Sequence, residues 1–561
     1  MNLNLVIKGV FFSLFCHFFL QAKEIHTSQS GRILFLIQQG DHSQALNLYM
    51  TNLQANELHD FELLHHIGLG ILDFGYRQSD PEIELLSLLG ASVSAHEDAY
   101  YILEAGLKNR YPQIQLIALN TLAHLQSDKA DQTILKAMGS NQLLIRLEAL
   151  KQLCLKNHPA SINQAESLMY KTPEILISLY PPLIASVGTP QAIRVLRKLL
   201  HHSSETVRLS VIHSIAKYKR DDLLPQIRQQ AFQGNQIQQE ACAHALGVFY
   251  DGYSKDKLQK LTFSPYPTVA LAAHLALYKL GINTSADAIE AMAKQENLFA
   301  IQALGEIPEK SAVLTNFLDH SNPQLRINAV LALLNQKNTV CFPYLKEIIL
   351  RHKKDYAFVP DHSPGRTFKI WRIIPSASQI MENDLDYQEH ITLKESVVET
   401  VRNLSEPFFI VLAHAIFESQ QNELIPLVTS LLEEIGSHDA VNCLKAHQQQ
   451  LGAPFVRHYC NLALYRLQEK GPYAEQLRQW VKTQRETEFI RFKGSITNPW
   501  KLTKNSYQLA PAEASQLLIK IYEAFAINQD TLGIEALLEA ISQDQTNNKY
   551  ALAGILLRAT Q

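Results

Sequence analysis

An apolar residue two places after a proline slot recurs at Ile83, Ile114, Ile145, Ile175, Val207, Ile237, Val269, Leu298 and Leu325, at intervals of 27 to 32 residues. After an interruption the pattern resumes at Ile425 and Val456, again 31 residues apart. Proline fills its slot at Pro81, Pro112, Pro173, Pro267, Pro323 and Pro454, in a chain with 22 prolines among 561 residues, so the coincidence is not chance. A period of this length constrains the fold more strongly than any local motif, because each unit must be one small supersecondary element that stacks on its neighbours.

The chemistry of each unit is legible. Proline is favoured at the first helical position, where its missing N–H costs nothing. A residue such as Asn322, just before it, can cap the helix. Apolar side chains then recur every three or four places, as in Leu325, Ala329 and Leu333 or Ile114, Ala118 and Leu122, which makes one face of an amphipathic helix. The small residue (Ala118, Ala149, Ala241, Ala273, Ala329) lets a neighbouring helix come close. A polar turn and a second short helix follow. Two short helices cannot bury their apolar faces alone, whereas stacked pairs can.

The proline slot, the apolar residue two on, the following Arg or Gln (Arg146, Arg208, Arg326, Arg457, Gln115, Gln238) and the Ala three beyond carry a resemblance to the HEAT-like repeat family, in the short form also found in phycobilisome lyases. The resemblance covers roughly 81–351 and 422–469. Two units depart from it, with Gln302 where Ala is usual and Pro426 in the Arg slot. The expected fold is all-α: a right-handed α-solenoid of about 30-residue helical hairpins with one or two non-helical insertions. The expected organisation is a signal peptide (1–22), an N-terminal helical cap similar to a tetratricopeptide pair (23–80), solenoid (81–351), an insertion forming a hairpin or long loop (352–391), further solenoid (392–485), a basic aromatic loop (486–510) and a C-terminal helical cap (511–561). The signal-peptide expectation rests on Lys8 followed by an apolar run from Gly9 to Leu20, too short to span a bilayer.

Solenoids place function in their grooves and in the insertions that interrupt the period. Two interruptions stand out. From Arg351 to Arg372 six Lys or Arg face two Asp, a net of +4; from Met381 to Glu399 the net is -5. From Arg478 to Lys504 the net is +5. All three tryptophans, Trp371, Trp480 and Trp500, lie in or beside these breaks, and Trp and Arg are enriched at binding hot spots. The candidate binding residues are Phe368, Lys369, Trp371 and Arg372 in the first break, and Arg491, Phe492, Trp500 and Lys501 in the second.

Catalytic patterns are lacking: there is no HExxH, GxSxG, phosphate loop or dinucleotide-binding glycine pattern. The 51 basic and 54 acidic residues give a net charge of -3, so no global field draws the chain to nucleic acid. The cysteines lack metal-knuckle or CxxC spacing; Cys443 and Cys460 are the pair close enough in sequence to suggest a bridge. His65 and His66 are adjacent, which suits a metal poorly on a helix. No cofactor or metal is expected. The reading is an exported, non-catalytic scaffold or adaptor, periplasmic or secreted in a bacterial host, that binds protein partners through its groove and insertions. The family resemblance implies an alternative, a bilin-lyase-like enzyme or chaperone factor, which export argues against. The basic loops suggest a third, peripheral contact with a membrane surface.

Overall fold

The computed structural model describes residues 28–56, 58–125, 127–350, 356–361, 367–375, 384–450, 452–484, 512–543 and 548–560. The apolar run of the expected signal peptide lies outside them. Among the described residues the regular structure is helical except for one two-stranded sheet, and short turns join the helices into repeated hairpins. They divide into two compact units, 134–470 in one and the flanking segments, up to 133 and from 471, in the other.

In the 134–470 unit, prolines open first helices as expected, at Pro267–Lys279, Pro323–Asn335 and Pro454–Arg466. Asn322 accepts a hydrogen bond from the Gln324 amide, closing one orphan donor of the first turn. The reference positions Ile145, Val207, Val269, Leu325, Ile425 and Val456 are buried, as are Ala149, Ala241, Ala273 and Ala329. Each large aliphatic side chain so buried contributes roughly 1.5–3 kcal/mol against exposure. The Arg slot has its own duty: Arg208 donates to the His202 carbonyl at 2.6 Å, and Arg326 to the His320 carbonyl at 2.6 Å. Both reach six residues back, tying each first helix to the turn that precedes it.

Three units depart from the sequence register. Ile175 is 83% exposed rather than core. Pro181 and Pro182 allow an α-helix only in its first turn, so the helix starts at Tyr180 and Ile175 falls in the 3-10 stretch Glu174–Leu179 before it. The helix Leu298–Leu304 starts on its reference residue under an Asn297 cap, and Ile301 takes the core position. Pro426 sits in the first turn of Ile425–Ile435, which makes it a helix opener and not an occupant of the Arg slot.

The other unit joins the two ends of the chain. Its N-terminal part comprises Ser28–Gln39, His42–Asn56, Phe61–Tyr76, Pro81–Ser94, Tyr100–Gly106 and Pro112–His124; its C-terminal part comprises Tyr473–Thr483, Ala512–Ile527, Thr531–Ser542 and Lys549–Arg558. The helix Lys549–Arg558 packs on both Phe61–Tyr76 and Pro81–Ser94. Glycines set the approach: a Cβ on Gly554 would overlap the Gly90 backbone, and one on Gly90 would overlap the Tyr550 carbonyl oxygen. Asp530 caps its own helix through the Gly533 amide and pairs with Arg478 at 3.0 Å. The helical segments expected at the C-terminus are present, and they cover the N-terminal hairpins instead of a separate end of the stack.

Gly554→Ala is expected to lower stability by about 1–3 kcal/mol, because the overlapped atoms are backbone and cannot rotate away. Chemical denaturation measures the loss, and limited proteolysis should show the C-terminal helix released first.

Candidate binding surface

The first interruption contains a β-hairpin. Strands β1 (Tyr356–Pro360) and β2 (Trp371–Pro375) are antiparallel, with Val359 opposite Arg372 and Pro360 opposite Trp371. β-branched and aromatic residues make both strands, and the Asp361 amide donates to the Ile370 carbonyl at 2.9 Å where they close. The following helix begins at Asp384, eight residues earlier than the sequence boundary placed it, so the acidic run is largely helical.

The hairpin is seated on first helices of the stack. Asn328, fully buried on Pro323–Asn335, accepts from the Trp371 amide at 2.9 Å and donates to the Trp371 carbonyl at 2.8 Å. Its carboxamide acts as one more peptide group beside β2, satisfying an edge that would otherwise be open. Glu240, fully buried on Gln236–Val248, accepts from the Thr367 amide at 3.0 Å. His390 Nδ1 accepts from the Phe358 amide at 3.2 Å. Phe358, Val359, Phe368 and Ile370 are buried. Phe368 meets the His244 ring edge-on at 6.4 Å.

The candidate residues therefore divide. Phe368 is an anchor and Trp371 is half-buried with its backbone held; Lys369 and Arg372 are exposed, the latter paired with Asp361 at 2.8 Å. Arg491, Phe492, Trp500 and Lys501 lie outside the described residues. Trp480 is half-buried on Tyr473–Thr483. Sequence reasoning missed Glu240 and Asn328. Both stand three places after a reference apolar residue (Ile237 and Leu325), and a polar residue there, on an otherwise apolar helix face, is the signal that marks a docking point.

A second surface lies at the ends of successive second helices. Tyr170, His201, Phe232 and Phe263 are spaced 31 residues apart and all four are exposed. Tyr170 and Phe263 are each 88% exposed and Phe232 is 37% exposed. Neighbouring units are in register there: Gln230 Nε2 donates to the Leu200 carbonyl at 2.8 Å, and Lys257 Nζ sits 5.4 Å above the Phe232 ring. The same helices, Pro190–Leu199 and Lys255–Leu261, expose Arg194, Arg197, Lys198, Lys255, Lys257 and Lys260. The result is a row of exposed rings, one per repeat, with Lys257 over the Phe232 ring and further exposed cations on the same helices, of which Lys198 is paired with Glu166 at 3.6 Å.

Cys154, Cys242, Cys341, Cys443 and Cys460 are free and buried, so the suggested Cys443–Cys460 bridge is not formed. Burial pushes the thiols of Cys154, Cys341 and Cys443 up to about 12, which keeps them as neutral thiols at neutral pH unless an ion displaces the proton. Two clusters of donor atoms assemble from separate elements: His65 with His96 and Asp98, and His414 with Cys443 and His447. In the first, His65 Nε2 is 2.9 Å from Asp98 Oδ2 and its Nδ1 is 3.0 Å from Thr560 Oγ1.

No family model matches this chain, and no curated protein does either. Among solved structures, the chain is similar to an engineered protein from the Northeast Structural Genomics Consortium, with 12% identity and a TM-score of 0.18, over 81% of this chain and 98% of that one. A likeness so slight bears on neither fold nor function. Among the described residues, no helix is long and apolar enough to cross a membrane.

Two outcomes follow for the seat of the hairpin. Asn328→Ala leaves the Trp371 amide and carbonyl without their buried partner, at a cost of about 1–3 kcal/mol; hydrogen exchange at Trp371 should accelerate while exchange in distant helices stays unchanged. His244, beneath Phe368, is held down to about 4 by burial first and by the Lys279 charge second. Its ordinary value is 6.5, so between those values the unfolded chain binds the proton and the folded one resists it. Stability present above pH 6.5 should fall as the pH drops toward 4, by up to about 3 kcal/mol from this group. His458, also held down to about 4 by burial, adds to the same acid limb. Denaturation curves at pH 7 and 4.5 should therefore converge in part for His244→Gln and further for His244→Gln/His458→Gln.

Proposed function

We propose that this chain is a binding scaffold for protein partners, and that it holds an extended, acidic segment bearing apolar side chains. The observation that carries this reading is the exposed row of Tyr170, His201, Phe232 and Phe263, one per successive repeat, with Lys257 over the Phe232 ring and further exposed Arg and Lys residues on two of the same helices. Exposed apolar surface repeated at equivalent positions marks an interaction site. Helices packed at about 8–10 Å put one rung per repeat at that pitch. An extended chain rises about 3.3 Å per residue, so every third residue of a bound strand meets a rung. The flanking cations select acidic residues between them.

The resemblance to HEAT-like repeats supports a scaffold, since such arrays offer long surfaces made of equivalent positions. The hairpin enters differently from the original expectation: with Phe368 buried and Trp371 held by Asn328, it is part of the scaffold's body, and Lys369 and Arg372 are its outward groups. Export belongs to the same proposal and rests on the apolar run of residues 9–20; the N-terminal sequence of the protein isolated from its host tests it.

Selection of displayed random peptides on the full chain tests the partner class. The expected binders are acidic with an apolar residue at every third position, and they should lose at least tenfold in affinity to Phe232→Ser/Phe263→Ser. That variant changes exposed side chains and should keep its stability within about 0.5 kcal/mol. Binders that hold the double variant equally well, or a single-stranded oligonucleotide that binds as tightly as the peptides, would overturn the reading.

A further inference from the structure

His414 lies on the helix Glu406–Glu418, while Cys443 and His447 lie on His438–Gln448 in the next hairpin. Cys443 and His447 are four residues apart and share a helix face. The donor atoms of all three lie within 4.8 Å of one another. His414 Nδ1 is 2.8 Å from His447 Nε2, and His447 Nδ1 is 2.9 Å from Gln450 Oε1. A carboxamide oxygen only accepts, so the proton of His447 sits on Nδ1 and its Nε2 presents a lone pair toward His414. A ring whose far nitrogen is fixed by an outer carbonyl is the arrangement that metal-binding histidines use. Phe417 packs 4.9 Å from the His447 ring and fixes its plane. Cys443 and His447 are buried, while His414 is half-exposed and gives an ion its way in from solvent.

We propose that His414 Nδ1, Cys443 Sγ and His447 Nε2 bind one transition-metal ion of the Zn2+ type, with a fourth coordination position open. Two imidazoles and a thiolate suit such an ion and exclude Mg2+ and Ca2+, which take oxygen donors. Bond lengths of about 2.0–2.1 Å to nitrogen and about 2.3 Å to sulfur place tetrahedral donors roughly 3.3–3.6 Å apart. The two rings must therefore separate by about half an ångström. On binding, Cys443 releases its proton to solvent, and His414 gives up the proton that its Nδ1 shares with His447 Nε2 and takes one on Nε2, so its Nδ1 lone pair is free for the ion. The ion then ties helices from two successive hairpins.

Neither ligand set nor geometry could be read from spacing, since His414 is 29 residues before Cys443. The test uses the full chain, stripped with a chelator under reducing conditions and titrated with Co2+. One equivalent should produce visible d–d bands and a near-ultraviolet thiolate-to-cobalt band, both bleached by Zn2+, and Zn2+ alone should raise the Tm. Cys443→Ala should keep the helical circular dichroism and lose the near-ultraviolet band. His414→Gln, at a half-exposed position, should weaken Co2+ binding at least tenfold. Cobalt taken up by His65, His96 and Asp98 gives no thiolate band and is not mistaken for this site. Absence of the thiolate band in the stripped wild-type chain, or its survival in both folded variants, overturns the proposal.

Discussion

A stack of helical hairpins has an uncovered apolar face at its first unit, and the unit that holds both ends of this chain depends on how that face is closed. The helix Pro81–Ser94 has no preceding repeat of its own kind. It is covered by Phe61–Tyr76 and by Lys549–Arg558, a segment more than 450 residues downstream. The closeness of Gly90 and Gly554 brings the two backbones together at one point, and on either side of it Leu557 against Gly68 and Tyr550 against Gly75 fill the seam, so dispersion and burial act along the helix. The polar bonds around it, Arg478 to Asp530 and His59 to the Thr531 carbonyl, then fix orientation.

The 134–470 unit uses the repeat in another way. Most units put an apolar or small side chain three places after the reference residue. Where that position is Glu240 or Asn328, the helix face accepts the backbone of the hairpin instead of another side chain. A buried carboxylate and a buried carboxamide would each be costly if left without a partner. Their bonds to Thr367 and Trp371 offset that cost and give the hairpin a single position. The repeat thus supplies a uniform frame, and two substitutions in it specify where the insertion docks.

The architecture was legible because stacking makes the same demand at every unit. The proline slots, the Asn322 cap, the buried alanines and the two strands of the insertion were all readable from composition and period. Where reading failed, local geometry had overridden the period: two adjacent prolines at 181 and 182 delayed a helix and turned Ile175 outward. The candidate site was legible only in part. Trp371 and Arg372 were singled out for their residue type, but whether a tryptophan is an outward hot spot or a held strand residue depends on Asn328, 43 positions earlier. The ladder of Tyr170, Phe232 and Phe263 had the period in plain view, yet exposure at the end of a second helix depends on which way that helix turns. Donor clusters such as His414 with Cys443 and His447 arise from stacking distances that one-dimensional spacing does not encode.

The dependence of Pro81–Ser94 on Lys549–Arg558 has a consequence for how the chain is made. At about 5–20 residues per second, the ribosome delivers the covering helix roughly half a minute to a minute and a half after the helix it covers. Throughout that interval the N-terminal hairpins lack their cover, while the repeats of the 134–470 unit have their neighbours already in hand. The middle of this protein is therefore able to fold without its ends, whereas its beginning must wait for the last helix. That order makes the first hundred residues the natural client of whatever holds nascent chains, and makes loss of the last dozen residues a defect of the N-terminus.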